Sequence, residues 1–288
     1  MEKMIKFIYL AGMVITLGFT GLRAEEPIVV KEDKILASVR KSISILPSWK
    51  TRLLNLKKSP FTGVYEANVE FSADNNVRML SIFISTDSKF YVVGNLYDSS
   101  LDYDALRRRK IHLEGAPSKG DLDAPVTIVE FSDLQCSSCK QAHEAIQKDN
   151  LLESYRGQVR FVYKNYPLSG FHPWALQAAV GCMCAYRQNP DAFWKMQNDL
   201  YFDQAGVTVD NLKERVMRSA KEGGLNLKKF EECYDQKAAL DRVNADLAEG
   251  NSLGVNATPT FFVNGRVLPG YPGTPQLKLL IDDFLAQK

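Results

Sequence analysis

Strict alternation of apolar and polar positions runs from Gly63 to Phe71, with Tyr65, Ala67, Val69 and Phe71 on one side and Glu66, Asn68 and Glu70 on the other. A period of two predicts a strand with one buried face. Upstream, Lys31 to Leu46 spaces Ile35, Leu36, Val39 and Ile43 at helical intervals. Downstream, Met79–Ser85 and Phe90–Val93 predict two further strands joined at the turn-forming Thr86-Asp87-Ser88-Lys89. The pattern then changes character. An unbroken apolar run, Val126 to Phe131, precedes a helical pattern over Gln141 to Glu153 and another strand over Val159 to Tyr163. That order is a β-α-β unit with a right-handed crossover. Helical spacing then persists from Pro173 to about Leu253, punctuated by Asn189-Pro190, by Asp210 as a candidate N-cap, and by Gly223-Gly224. Pro259 to Val263 and Arg266 to Leu268 flank Asn264-Gly265, a hairpin signal. The last helix is capped at Thr274, has Pro275 at its first position, and turns Leu277, Leu280, Ile281 and Phe284 inward.

At 288 residues the chain is long enough for two cores after a processed N-terminus. Lys3 and Lys6, the apolar stretch Phe7 to Phe19 and the small-residue site at Ala24 form a signal-peptide pattern, which predicts a periplasmic or otherwise exported protein. The expected division is a signal peptide over 1–24, an α+β unit over 25–110, a linker over 111–119 and a second unit over 120–288, with the helical insertion at about 171–253. A net charge of +2 argues against nucleic acid or a membrane surface as the main partner. Arg107-Arg108-Arg109-Lys110 is the local exception, and reads as a solvated helix end or linker. The first unit has no Cys, and no His precedes His112, so its expected job is positioning, dimerisation or substrate contact.

All five cysteines lie beyond residue 135. Cys136-Ser137-Ser138-Cys139 stands between a buried strand and a helix, so Cys136 meets the helix's unsatisfied N–H groups, which favour thiolate. Disulfide exchange is the chemistry this placement serves. The same spacing could hold half a zinc site with His143 one turn on, but no second ligand pair repeats, and neither metal nor cofactor is expected. Glu130, inside the apolar strand, is a candidate proton shuttle for Cys139. Residues two apart on a helix point apart, so Cys182 and Cys184 are not expected to bond each other, and either can pair with Cys233. Asn256-Ala257-Thr258 fits a glycosylation sequon, taken as coincidental beside the dithiol. The element order is that of an α/β thioredoxin fold with an inserted helical subdomain, behind a small N-terminal α+β domain.

Ala-Pro-Val-Thr-Ile-Val-Glu-Phe-Ser-Asp-Leu-Gln-Cys-x-x-Cys from Ala124, Lys-Asn-Tyr-Pro-Leu from Lys164 and Thr-Pro-Thr-Phe-Phe-Val-Asn-Gly from Thr258 resemble the DsbA-like thiol:disulfide oxidoreductases over Gly120 to Lys288. The resemblance implies that Cys136 attacks, that Cys139 resolves, and that Pro259 is the family's cis proline, with Thr258 offering its backbone to an extended substrate. It also implies a structural disulfide at Cys184 and Cys233. Ser137-Ser138 departs from the family's usual Pro-His or Pro-Tyr, and without a cation there the expected potential is less extreme than that of the strongest oxidants. Ser-Pro-Phe-Thr-Gly-Val-Tyr-Glu from Ser59 and Val-Val-Gly-Asn-Leu-Tyr-Asp from Val92 resemble the DsbC/DsbG dimerisation domain. The implied partners are unfolded or misfolded exported proteins, an unidentified redox partner that recycles the dithiol, and a second copy of the chain. The implied role is isomerase or oxidase. The alternative is a holdase or binding module whose dithiol is only structural.

Overall fold

The computed structural model describes residues 29–73 and 76–287. The expected signal peptide lies outside the described residues. The chain forms two compact units that divide between Asp98 and Ser99.

The first unit is a four-stranded antiparallel sheet, β1 (Lys50–Lys58), β2 (Val64–Ala73), β3 (Asn76–Ser85) and β4 (Tyr91–Val93), in sequential order and preceded by helix α1 (Glu32–Ser42). The inward residues of β2, Ala67, Val69 and Phe71, are buried with Ile82 and Ile84 of β3 and with Ile35 and Val39 of α1. Cross-strand ion pairs, Arg52 with Glu70 and Lys57 with Glu66, tie β1 to the polar side of β2. Strand β1 escapes the alternation test for a physical reason. A bulge between Leu54 and Lys57, with Asn55 at φ +56°, breaks its period, and most of its residues are charged or polar.

The second unit begins with helix α2 (Tyr103–Lys110), whose N-cap Asp102 accepts a bond from the Ala105 N–H. Its sheet runs β5 (Ser118–Lys119), β7 (Val159–Asn165), β6 (Val126–Ser132), β8 (Thr260–Val263) and β9 (Arg266–Pro269). Only β6 and β7 are parallel. Helices α3 (Ser137–Lys148) and α4 (Leu151–Ser154) make the crossover. The left-handed Asn150 ends the continuous helix expected over Gln141 to Glu153. Five helices, α5 (Ala175–Gln188), α6 (Pro190–Phe202), α7 (Leu212–Glu222), α8 (Leu227–Asp235) and α9 (Leu240–Ser252), form the insertion, and α10 (Thr274–Ala286) closes the chain. Both faces of the central strands are covered, hence the unbroken apolar run of β6. Val126 and Ile128 pack with α3 and α10, while Val129 and Phe131 pack with Tyr166, Val255 and Phe262.

The expected boundary at 110 and linker at 111–119 are corrected. Helix α2 belongs to the second unit, where Arg266 of β9 bonds Asp104 and the Asn264-Gly265 turn meets the helix backbone. Both turn residues have positive φ, as a tight hairpin demands, and a Cβ on Gly265 would overlap the Asp104 carbonyl. Within the supposed linker Ala116 is buried, and β5 pairs with β7. Two caps also differ. Helix α7 is preceded by Asn211, which exchanges bonds with Thr208, rather than by Asp210. Gly273, rather than Thr274, precedes α10. Cys184 bonds Cys233 and so joins α5 to α8, whereas Cys182 is a fully buried free thiol.

Candidate active site

Cys136 is the N-cap of α3, with φ −74° and ψ 123°, which sets its sulfur beside the helix's first backbone N–H groups. Across from it, the cis Thr258–Pro259 bond brings the Thr258 carbonyl to 3.4 Å from Cys136 Sγ. Cys136 keeps 9% of its surface and Cys139 none. Burial and hydrogen bonding drive the two thiols apart. The Cys139 thiol, then the Thr258 side chain and the two helix N–H groups, hold the Cys136 thiol down at about 5 against the opposing effect of burial, from an ordinary 9.0. Burial, the bond to Cys136 and the Glu130 carboxylate push Cys139 well above that value. Ser137 and Ser138 are exposed, and the thiolate is held chiefly by the Cys139 thiol, with the helix backbone adding a smaller share.

Positions 126, 128, 130 and 132 of β6 share the face toward α3, so Glu130 and Ser132 continue it beyond the apolar pair. Burial raises the Glu130 carboxyl to about 7, against a lowering bond from Ser132, and the nearby Cys136 adds to the rise. Ser132 Oγ donates to Glu130 Oε1 at 2.7 Å and lies 3.1 Å from the Tyr201 hydroxyl. The expected site residues Cys136, Cys139, Glu130, Thr258 and Pro259 thus meet around one cleft.

Several residues that sequence reasoning did not single out hold this cleft. Asp133, fully buried, accepts bonds from the Gln135 and Leu168 N–H groups and lies 2.7 Å from His172 Nδ1, while its own N–H points at Cys139 Sγ, 3.4 Å away. It thereby ties the β6–α3 loop to the β7–α5 loop. From the insertion, Gln204 donates to the carbonyls of Leu134 (2.8 Å) and Cys136 (3.1 Å). The signal for Asp133 was its place between an apolar strand and the dithiol; Gln204 carried none. His143 turns elsewhere, toward Asn198 (2.6 Å) and Gln147. Among the described residues no group of three or more His, Cys, Asp or Glu is placed to hold a metal ion.

Chemically, this arrangement supplies a nucleophilic sulfur at neutral pH, a second sulfur protonated until needed, and a carboxylate beneath it. Alkylation of Cys136 in the reduced protein is expected to be flat above its pKa of about 5. Below that, the rate falls about tenfold per pH unit as thiolate is lost. Iodoacetamide kinetics across pH test this, and a midpoint near 9 would contradict the geometry.

A thioredoxin-fold sheet carrying an asymmetric dithiol opposite a cis proline defines the class. A family model described as Thioredoxin matches residues 113–283, more than half of the chain, and the chain belongs to that family. Among curated relatives, "Na(+)/H(+) antiporter NhaA 3" of Salinispora tropica is 36% identical over 148 residues, 51% of this chain, but the match spans only 21% of that protein. "Disulfide bond formation protein D" of Bacillus subtilis is 27% identical over 182 residues, 61% of this chain and 80% of that protein. Among solved structures, oxidised BdbD from Bacillus subtilis superposes with a TM-score of 0.56 at 26% identity, covering 61% of this chain and 95% of that one. The expected DsbA-like thioredoxin fold is therefore the observed one. The matched stretch is a fifth of the antiporter's length, and the N-terminal unit lies outside the matched family region.

Proposed function

We propose that this chain is an exported thiol:disulfide oxidoreductase that exchanges disulfides with protein substrates through Cys136 and Cys139. One observation carries the reading: of two thiols three residues apart, one caps a helix N-terminus 3.4 Å from the Thr258 carbonyl, while the other is fully buried. An inert bridge needs no such asymmetry. Cys136 thiolate attacks a substrate disulfide, the extended substrate chain lies along Thr258, and Cys139 then displaces the substrate. The similarity to a protein named for disulfide bond formation supports the same chemistry. The N-terminal pattern of residues 1–24 supports export.

The finer role rests on the first unit. Phe61, Phe90, Val92 and Leu96 are exposed around a hollow of ~380 Å³, and contiguous apolar surface of this kind marks an interaction site. A second copy of the chain is the proposed occupant, which favours isomerase or reductase over a monomeric oxidase. The potential of the Cys136/Cys139 couple, measured together with solution mass, tests both proposals. A potential between about −270 and −120 mV and a dimeric mass are expected. A couple below about −300 mV would mark a structural bridge and return the chain to the holdase reading. A monomer would remove the isomerase reading.

A further inference from the structure

Asp133 bonds both cysteines of the dithiol. Its carbonyl accepts from the Cys136 N–H at 3.1 Å, and its own N–H donates to Cys139 Sγ at 3.4 Å. The first bond closes a four-residue turn that delivers Cys136 to the start of α3. The second reaches past that turn to the resolving sulfur. An amide N–H lies in a rigid plane, so the backbone dihedrals around it decide where it points. Here the side chain holds those dihedrals. Asp133 Oδ1 accepts from the Gln135 N–H at 2.7 Å, an Asx turn, while Oδ2 accepts from the Leu168 N–H at 2.8 Å and from His172 Nδ1 at 2.7 Å. The Asp133 carbonyl takes a further bond, from the Tyr201 hydroxyl at 3.4 Å. Gln135 adds a second tie between the two loops by accepting from the Trp174 N–H at 2.9 Å. The Asp133 side chain has no exposed surface. A carboxylate is costly to bury unless it is answered, and three donors from two loops answer this one.

We propose that Asp133 is a positioning residue of the resolving step, its side chain aiming the Asp133 N–H at the Cys139 sulfur as that sulfur becomes the nucleophile. The inference rests on the disulfide-exchange reading above. With substrate joined to Cys136 by a mixed disulfide, Cys139 attacks Cys136 Sγ as thiolate. The Cys136–Cys139 bond forms, the bond from Cys136 to the substrate breaks, and its electron pair leaves on the substrate sulfur. The proton given up by Cys139 is matched by one taken up on that sulfur, so the substrate leaves as a thiol. The two cysteines are oxidised and the substrate disulfide is reduced, so no other oxidant enters. Between deprotonation and attack the charge sits on Cys139, which is fully buried and whose ionisation burial opposes. A donor already aimed at a developing charge counts for more in such a place than in water. The Asp133 N–H is such a donor, and the Asp133 carbonyl holds Cys136 at the other end of the new bond.

Ellman's reagent, in excess and under stopped flow, resolves the two steps on the full, reduced protein. The first nitrothiobenzoate released reports attack by Cys136, and the second reports closure by Cys139. Asp133→Ala removes every side-chain tie, whereas Asp133→Asn keeps the size of the side chain and one acceptor oxygen. The ratio of second-phase to first-phase rate is expected to fall roughly tenfold or more in Asp133→Ala, since misplacing a reacting group by about 1 Å can cost on the order of a hundredfold. A smaller fall is expected in Asp133→Asn. A general support of the loop would slow both phases together, so an unchanged ratio in Asp133→Ala would overturn the proposal. Should Asp133→Ala not fold, Asp133→Asn decides alone, and an unchanged ratio there overturns it. If the wild-type first phase were no faster than that of a free thiol, the exchange reading itself would fall, whatever the ratio did.

Discussion

Cys136→Ser is expected to lose disulfide exchange entirely, measured as reduction of insulin or reactivation of scrambled ribonuclease. The chemistry leaves no substitute nucleophile. A serine hydroxyl does not ionise in the range where Cys136, held at about 5, is fully thiolate. Cys139 cannot take over, because it has no exposed surface and burial, Cys136 and Glu130 all keep it protonated. Cys182 is farther from the task, buried in the insertion core with its thiol pushed above the ordinary range. Cys184 and Cys233 are spent on each other. The companion variant behaves differently: Cys139→Ser keeps the nucleophile and loses the resolver, so substrate stays attached as a mixed disulfide visible on a non-reducing gel. Full turnover by Cys136→Ser would refute the assignment of the site.

The parts of the site readable in the sequence are those whose chemistry is local. Cys136 and Cys139 announce themselves by spacing and by the strand ahead of them, and Glu130 by being a charge in an apolar run. Thr258-Pro259 is legible only with the family motif, since its partner Cys136 is 122 residues away. What stayed hidden depends on contacts that no short window contains. Ser132 looks like an ordinary strand-end serine until the fold lays Tyr201 across it. Gln204 becomes a support for the Cys136 carbonyl only when α6 ends over the β6–α3 loop. The basic cluster Arg107 to Lys110 is a helix end, one of the two readings its charge allowed, but what fixes that helix lies outside any short window, since Asp104 bonds Arg266, 162 residues later. In the first unit the periodic β2 and β3 are legible and the bulged, lysine-rich β1 is not.

Lys164 illustrates the same limit and carries the second large effect. It sits inside β7 with no exposed surface, where a lysine is costly unless its charge is answered. The answer comes from α9 and from the chain ahead of β5. Lys164 Nζ donates to the His112 carbonyl at 2.6 Å, to Asp246 at 3.2 Å and to Glu249 at 3.2 Å. Asp246, equally buried, also takes both N–H groups of Asn165 and pairs with Arg242 at 3.0 Å. This network pins α9 to the strand beside β6. Close by, Gly250 leaves just enough room for the Tyr166 ring, since a Cβ there would approach it to 2.8 Å. Lys164→Met fills the space but strips Asp246 and Glu249 of their buried cation. Breaking one side of such a pair typically costs about 3–5 kcal/mol, because the stranded charge pays desolvation without compensation. Urea unfolding of the second unit is expected to show that loss at neutral pH. A single variant as stable as the wild type would mean that the network is solvated in solution and does not hold the insertion against the sheet.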